Sequence, residues 1–218
     1  MARLLFEKTG RAVWISHLDL MRLFQRAFKR AQLPLKHTQG YNPRPTVSIA
    51  LPLSVGVESV CELLDFELDG DLPAMDSIRD RLNAVLVEGV RVLSVSHGGK
   101  KIKELALLDC DLLLKYDSRA GKDAVCAIRD LFAEPSILVE KKSKNGPVEQ
   151  DIIPLIRNMD VFSNEDGIHL QAKVCCQNPS LNPMLLASAV ERYLPQYKPD
   201  HVTCRRIEIY DSQGKVFR

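Results

Sequence analysis

The order strand, helix, strand, strand, helix, strand occurs twice along this chain. It predicts an α+β fold of two tandem ferredoxin-like (split βαβ) units with antiparallel sheets, residues 1–104 and 105–218. Three observations carry that expectation. Short apolar segments alternate with stretches of helical period, and turn-forming Gly and Pro separate them. After "GGKKIKE", residues 98–104, the succession starts again.

In the first unit, "RLLFEKTGRAVWI" (3–15) reads as a strand with a bend at Gly10. Ser16 then caps a helix over 17–32, with Asp19 three residues on as in a capping box. "TVSIALPL" (46–53) and "ELLDFELD" (62–69) read as strands. "MDSIRDRLNAVLVE" (75–88) carries Ile78, Leu82, Val85 and Leu86 at helical spacing, and Gly89 closes it. "VRVLSVSH" (90–97) completes the unit. In the second unit "LDCDLLLKYD" (108–117) is a strand, "KDAVCAIRDLFAE" (122–134) a helix, and "SILVEKKS" (136–143) and "GIHLQAKVCC" (167–176) strands. "NPMLLASAVERYL" (182–194) is a helix with Pro183 at its start, and "VTCRRIEIYD" (202–211) is the last strand. An insertion at about 144–164 lies between strands of this unit.

A chain of 218 residues with 45% hydrophobic and 27% charged residues can bury a core without staples. No apolar run approaches the roughly 20 residues of a membrane helix. Glu7, Lys8 and Arg11 stand where a signal peptide would be apolar, so the expectation is a cytoplasmic protein with no membrane contact. The six cysteines lack ligand spacing and read as small buried hydrophobes. Asp65 and Glu67 share a strand face that a magnesium ion could use, yet no His or Cys accompanies them. No phosphate-binding GxxxxGK[ST], GxGxxG or HExxH motif occurs, and neither a metal nor a cofactor is assigned.

Net charge is +2, unevenly spread. Residues 1–50 hold nine Lys or Arg against Glu7 and Asp19, a net of +7; residues 51–100 hold four against nine, a net of −5. On the first helix, Leu20, Phe24, Ala27, Phe28 and Ala31 make an apolar stripe. Arg22, Arg26, Lys29 and Arg30 line the opposite face, with no acidic residue expected to neutralise them within the helix. Like charges on one face repel, and a phosphate backbone relieves that repulsion. A solvated face, or one paired with the acidic 58–80 segment, accounts for the same pattern.

The loop that follows, "HTQGYNPRP", carries Gln39, Tyr41, Asn42 and Arg44 on a segment stiffened by Pro43 and Pro45. Donors of several geometries beside a stacking ring suit single-stranded RNA. The other reading is a connection whose Asn and Gln cap nearby backbone groups. His17 and His37 are the only candidates for acid–base chemistry, and His17 sits at a helix start, where a structural role is the commoner one. The residues therefore favour a non-catalytic protein.

"WISHLDL", "QGYNPRP" and "PLSVGVES", with the closing "RRIEIY", resemble the radical-SAM-linked protein family, a bacterial domain of unknown function. The family motifs fall on Ser16–Asp19, Gln39–Pro45, Pro52–Ser59 and Arg205–Tyr210. Two positions depart from the family pattern: Arg44 where a histidine is common, and Thr46 where a lysine is common. The resemblance implies a partner: a radical SAM protein with a cobalamin-binding-type region, fused to or encoded beside family members. It also implies a setting of RNA or ribosome metabolism. The expected function is thus a non-catalytic RNA-binding or substrate-presenting partner of that enzyme. Two alternatives stand beside it: a protein-interaction subunit that docks without RNA, and a metal-independent RNA-processing enzyme using His17 or His37.

Overall fold

The computed structural model describes residues 1–117, 122–143 and 146–218. It is a mixed α+β fold with mostly antiparallel strands and, among the described residues, four α-helices. The chain divides into two units, Met1–Glu104 with Val216–Arg218, and Leu105–Lys215. No helix among the described residues is long and apolar enough to cross a membrane.

In the first unit, strand β1 (Ala2–Lys8) is central because Leu4 and Phe6 are fully buried apolar residues. It pairs antiparallel with β3 (Val57–Phe66) and β4 (Val90–His97), and the short β2 (Val47–Ile49) pairs with β3. The order is β4–β1–β3–β2. The first strand does not run on to Ile15 as the sequence suggested. It stops at Lys8, and a 3₁₀ turn over Gly10–Trp14 begins at a glycine with φ of +55°. The cause is Lys8 itself, whose ammonium donates to the carbonyls of Val13 (3.1 Å) and Ile15 (3.1 Å) and so wraps the chain around it.

Helix α1 (His17–Arg30) starts as the capping pattern predicts. Ser16 Oγ accepts from the Asp19 N–H at 3.2 Å and donates to the Asp19 carboxylate at 2.7 Å. Its apolar stripe faces the sheet: Phe24 meets Phe6 edge-on at 4.7 Å between centroids, and Phe28 meets Phe66 at 4.9 Å. Helix α2 (Met75–Asn83) is shorter than its apolar spacing implied. The Asn83 amide leaves the helix direction to bond Val92 of β4 twice, at 2.9 and 2.8 Å. At Gly89 a Cβ would collide with the Thr9 carbonyl oxygen, so only glycine closes this corner.

The second unit holds β5 (Leu105–Lys115), α3 (Lys122–Phe132), β6 (Leu138–Ser143), β7 (Gly146–Asp151), β8 (Ile156–Ser163), β9 (Ile168–Cys175), α4 (Met184–Tyr193) and β10 (His201–Asp211). Its main strands run β10–β5–β9–β8, antiparallel throughout. Here the structure corrects the sequence reading. Leu138–Ser143 is no main-sheet strand; it pairs with β7 as a separate hairpin. The edge strand is β8, which lies inside the segment assigned as an insertion. Two contacts hold the hairpin apart: the Tyr193 hydroxyl of α4 donates to the Leu138 carbonyl at 3.0 Å, and Arg192 pairs with Glu149 at 3.0 Å. Residues 144–145, at the start of the assigned insertion, lie outside the described residues.

Candidate nucleic-acid interface

Arg22, Arg26, Lys29 and Arg30 are all exposed on α1. One of them is partly neutralised within the helix, against expectation: Arg22 meets Asp19, one turn earlier, at 3.0 Å. The Ser16 hydroxyl and Arg22 together hold the Asp19 carboxyl below the usual carboxylate range. Both partners are solvated, so the pair contributes little.

The acidic 58–80 segment does not cover the rest. Glu58 accepts from the Gly10 N–H at 3.2 Å, Asp65 grips Arg3, Glu67 meets Lys36 at 3.3 Å, and Asp76 and Asp80 both hold Arg79. Asp65 and Glu67 thus each face a cation of the protein. Among the described residues no group of His, Cys, Asp and Glu is arranged to hold a metal ion, and Arg26, Lys29 and Arg30 carry no ion pair.

The loop after α1 is a closed hairpin. The Thr46 N–H donates to the Lys36 carbonyl at 2.7 Å, and the Thr38 N–H to the Arg44 carbonyl at 2.8 Å. The Arg44 N–H returns to Thr38 Oγ1 at 3.0 Å. Both legs are pinned to the end of β3: the Lys36 N–H donates to the Glu67 carbonyl at 2.8 Å, and the Glu67 N–H to the Thr46 carbonyl at 3.1 Å. Thr38 therefore closes the loop, a task the sequence offered to Asn and Gln. Gln39, Asn42 and Arg44 are left exposed at the tip, their side chains without hydrogen bonds among the described residues. Tyr41 is 100% exposed, a stacking face with nothing upon it.

A groove of about 590 Å³ joins helix to loop. Its polar rim is Gln25 and Lys29 of α1, Gln32 from the turn that ends it, and His37 from the hairpin stem. Leu33, Pro34, Leu35 and Pro45 give it an apolar floor. Of the residues singled out in the sequence, this groove gathers Lys29 and His37. Arg22, Arg26 and Arg30 lie along the helix outside it, and Gln39, Tyr41, Asn42 and Arg44 at the hairpin tip outside it. Gln25 and Gln32 were missed, although Gln25, Lys29 and Gln32 recur at i, i+4 and i+7, the spacing of a shared helix edge.

The histidines gain no catalytic company. His17 is half-buried at the first position of α1 with Nδ1 unbonded, and no side chain among the described residues hydrogen-bonds to His37. A nucleophile–base pair requires such a partner. In the second unit, His169 Nδ1 meets the Asp111 carboxylate at 3.0 Å beneath Phe162, stacked at 5.0 Å. No hydroxyl or thiol completes that pair at Nε2 among the described residues. Of the six cysteines read as buried, Cys61, Cys110, Cys175 and Cys204 are buried, whereas Cys176 is half-buried and Cys126 is exposed on α3; burial drives the Cys110 and Cys204 pKa values up, that of Cys204 to about 12.

Fold and site together define an α+β protein with an exposed cationic helix and a pinned, aromatic-tipped loop. The chain belongs to a family of uncharacterised proteins conserved in bacteria (DUF2344), whose model matches residues 2–183. No curated protein matches the sequence. Among solved structures, a crystal structure of a Cbf5–Nop10–Gar1 complex is similar, with a TM-score of 0.55 at 11% identity over 95% of this chain. The match covers 48% of that neighbour, so the chain spans about half its length, and the likeness is one of fold alone.

Proposed function

We propose that this chain is a non-catalytic, cytoplasmic RNA-binding protein of two ferredoxin-like units that presents RNA to a radical SAM enzyme. The observation that carries the RNA half is the groove, in which Lys29 of α1 and His37 and Pro45 of the loop stem line one cavity. The cationic helix and the loop are therefore neighbours. Arg22, Arg26, Lys29 and Arg30 hold phosphates, and Gln39, Tyr41, Asn42 and Arg44 contact bases and sugars. The radical SAM partner rests on the sequence resemblance.

Affinity for a single-stranded RNA falls with rising salt, with a logarithmic slope of about −0.7 per phosphate engaged. Each arginine removed from α1 makes that slope shallower by about 0.7, and reversing all four charges abolishes binding. Tyr41→Ala costs about 1–3 kcal/mol of affinity by loss of one stacked base. Filter binding at several salt concentrations reads all of these. Unchanged affinity in the four-fold reversal rejects the proposal.

A second reading is favoured by one feature, an apolar cluster at the N-terminal end of α1. Trp14 is 69% exposed, Leu18 66% and Val55 53%. The Trp14 ring lies over Gly56, next to Val55, and Leu18 is in the first turn of α1. Exposed aromatic and aliphatic side chains of this kind anchor protein partners. If the radical SAM enzyme docks here, Trp14→Ser breaks co-purification at least tenfold while wild-type co-purification survives RNase. Loss of the partner on RNase treatment assigns the contact to RNA instead.

A further inference from the structure

The groove beside α1 has the chemistry of a pocket for one flat, polar-edged ring bearing an anion, and we propose that it receives a single unpaired nucleotide. The inference rests on the RNA-binding reading, since the nucleotide belongs to a strand held by the α1 cations.

Size and lining agree with this occupant. A volume of about 590 Å³ falls within the ~300–1,000 Å³ usual for small-ligand sites, which combine an apolar lining with few convergent polar groups. The polar groups here are particular. Gln25 and Gln32 each offer an amide donor and an acceptor, the alternation that a base edge presents. Lys29 is a point charge for phosphate. The His37 ring and the Pro34 and Pro45 faces offer flat surfaces to a π-system. Among the described residues none of these four polar side chains is hydrogen-bonded to protein, so all are available to a ligand.

Gln32 supplies an independent sign. Helix α1 ends in a Schellman motif: the Leu33 N–H donates to the Phe28 carbonyl at 2.9 Å, and the Gln32 N–H to the Lys29 carbonyl at 3.1 Å. The residue at the left-handed position of that motif is usually glycine, because a side chain there is strained. Here it is Gln32, with φ of +56°. Arg81 clamps the strained turn from outside, donating to the Ala31 carbonyl at 3.0 and 2.6 Å and to the Gln32 carbonyl at 2.8 Å. Stability alone favours glycine at this position. A glutamine held there, with its side chain on the groove rim, is accounted for by what the amide binds.

That argument predicts effects of opposite sign, which a purely structural residue would not produce. Gln32→Gly raises the melting temperature of the full chain and weakens nucleotide binding at least tenfold. Gln25→Ala weakens binding similarly with little change in melting temperature. The probes are AMP, GMP, CMP and UMP at millimolar concentration, read through the NMR signals of the Gln25 and Gln32 side-chain amides. The expected result is that at least one mononucleotide shifts both. Absence of shifts with all four, or unaltered affinity in Gln32→Gly, overturns the inference. A single-stranded RNA oligomer run in parallel separates the two claims. Strand binding without mononucleotide binding removes the pocket and leaves the RNA reading standing. Mononucleotide binding with no strand binding removes the RNA reading and, with it, the assignment of the bound nucleotide to a strand.

Discussion

Replacing Asp65 with alanine lowers the stability of the protein by about 3–5 kcal/mol, because it strands a buried guanidinium. Arg3 and Asp65 sit directly opposite each other on β1 and β3. Arg3 Nε and Nη2 donate to the two carboxylate oxygens at 2.6 and 2.8 Å, a bidentate fork. The side chains are only 3% and 6% exposed, so water cannot replace the lost partner. Phe217, fully buried, places its ring 5.2 Å from the guanidinium and closes the remaining side.

The same geometry makes the second half of the test informative. Arg3 Nη1 is buried with no hydrogen bond, so the pair itself is incompletely satisfied. Arg3→Met combined with Asp65→Leu therefore recovers most of the loss, since an apolar pair of similar volume asks for no hydrogen bonds. Urea denaturation of the two single variants and the double variant measures this as a coupling energy. A cost below about 1 kcal/mol for Asp65→Ala contradicts the burial argument.

Local signals and tertiary ones were unequally legible in the sequence. Helix α1 was legible to within two residues because its cap, its apolar stripe and its stop at Leu33-Pro34 all lie within one short stretch. The pairing of Arg22 with Asp19 is equally local, since the two lie one turn apart, and the same carboxylate serves both the cap and the cation. Strand β8 was not legible. Of its eight residues only Val161 is buried, so the period-two contrast that marks a half-buried strand is nearly absent. Its neighbour β6 carries a strand-like sequence, yet it is drawn away from the main sheet by Tyr193 and Arg192, residues some 50 positions distant.

The candidate site shows the same division. The side chains of "QGYNPRP" could be read off, but the closure that exposes them depends on Thr38 and on Glu67 at the end of β3. The groove was hidden altogether. It lies where α1 ends on a left-handed glutamine, and no rule of propensity places glutamine there.

Lys8→Met destabilises the protein by about 1–3 kcal/mol and frees the turn that leads into α1. Lys8 is 0% exposed, and its ammonium donates to the carbonyls of Val13 (3.1 Å), Ile15 (3.1 Å) and Ser54 (3.4 Å). Methionine fills the same volume and supplies none of those hydrogen bonds; the Val13 and Ser54 carbonyls keep backbone donors, the Gly56 N–H at 2.8 Å and the Val57 N–H at 3.4 Å, so the main cost is the loss at Ile15, about 1–3 kcal/mol. Arginine does not rescue, since a planar fork cannot direct three donors from a point. Two of the three carbonyls flank Trp14, the single tryptophan of the chain, and the third adjoins Val55. One ammonium thus fixes both sides of the exposed apolar cluster and the approach to the Ser16 cap. The tryptophan makes the consequence directly visible: in Lys8→Met its fluorescence polarisation falls under native conditions, before global unfolding, and amide exchange at Val13–Ser16 accelerates. If α1 binds RNA as proposed, that affinity changes less in Lys8→Met than co-purification of a protein partner through Trp14. An unaltered unfolding midpoint in Lys8→Met would show that the wrapped turn holds without its central cation.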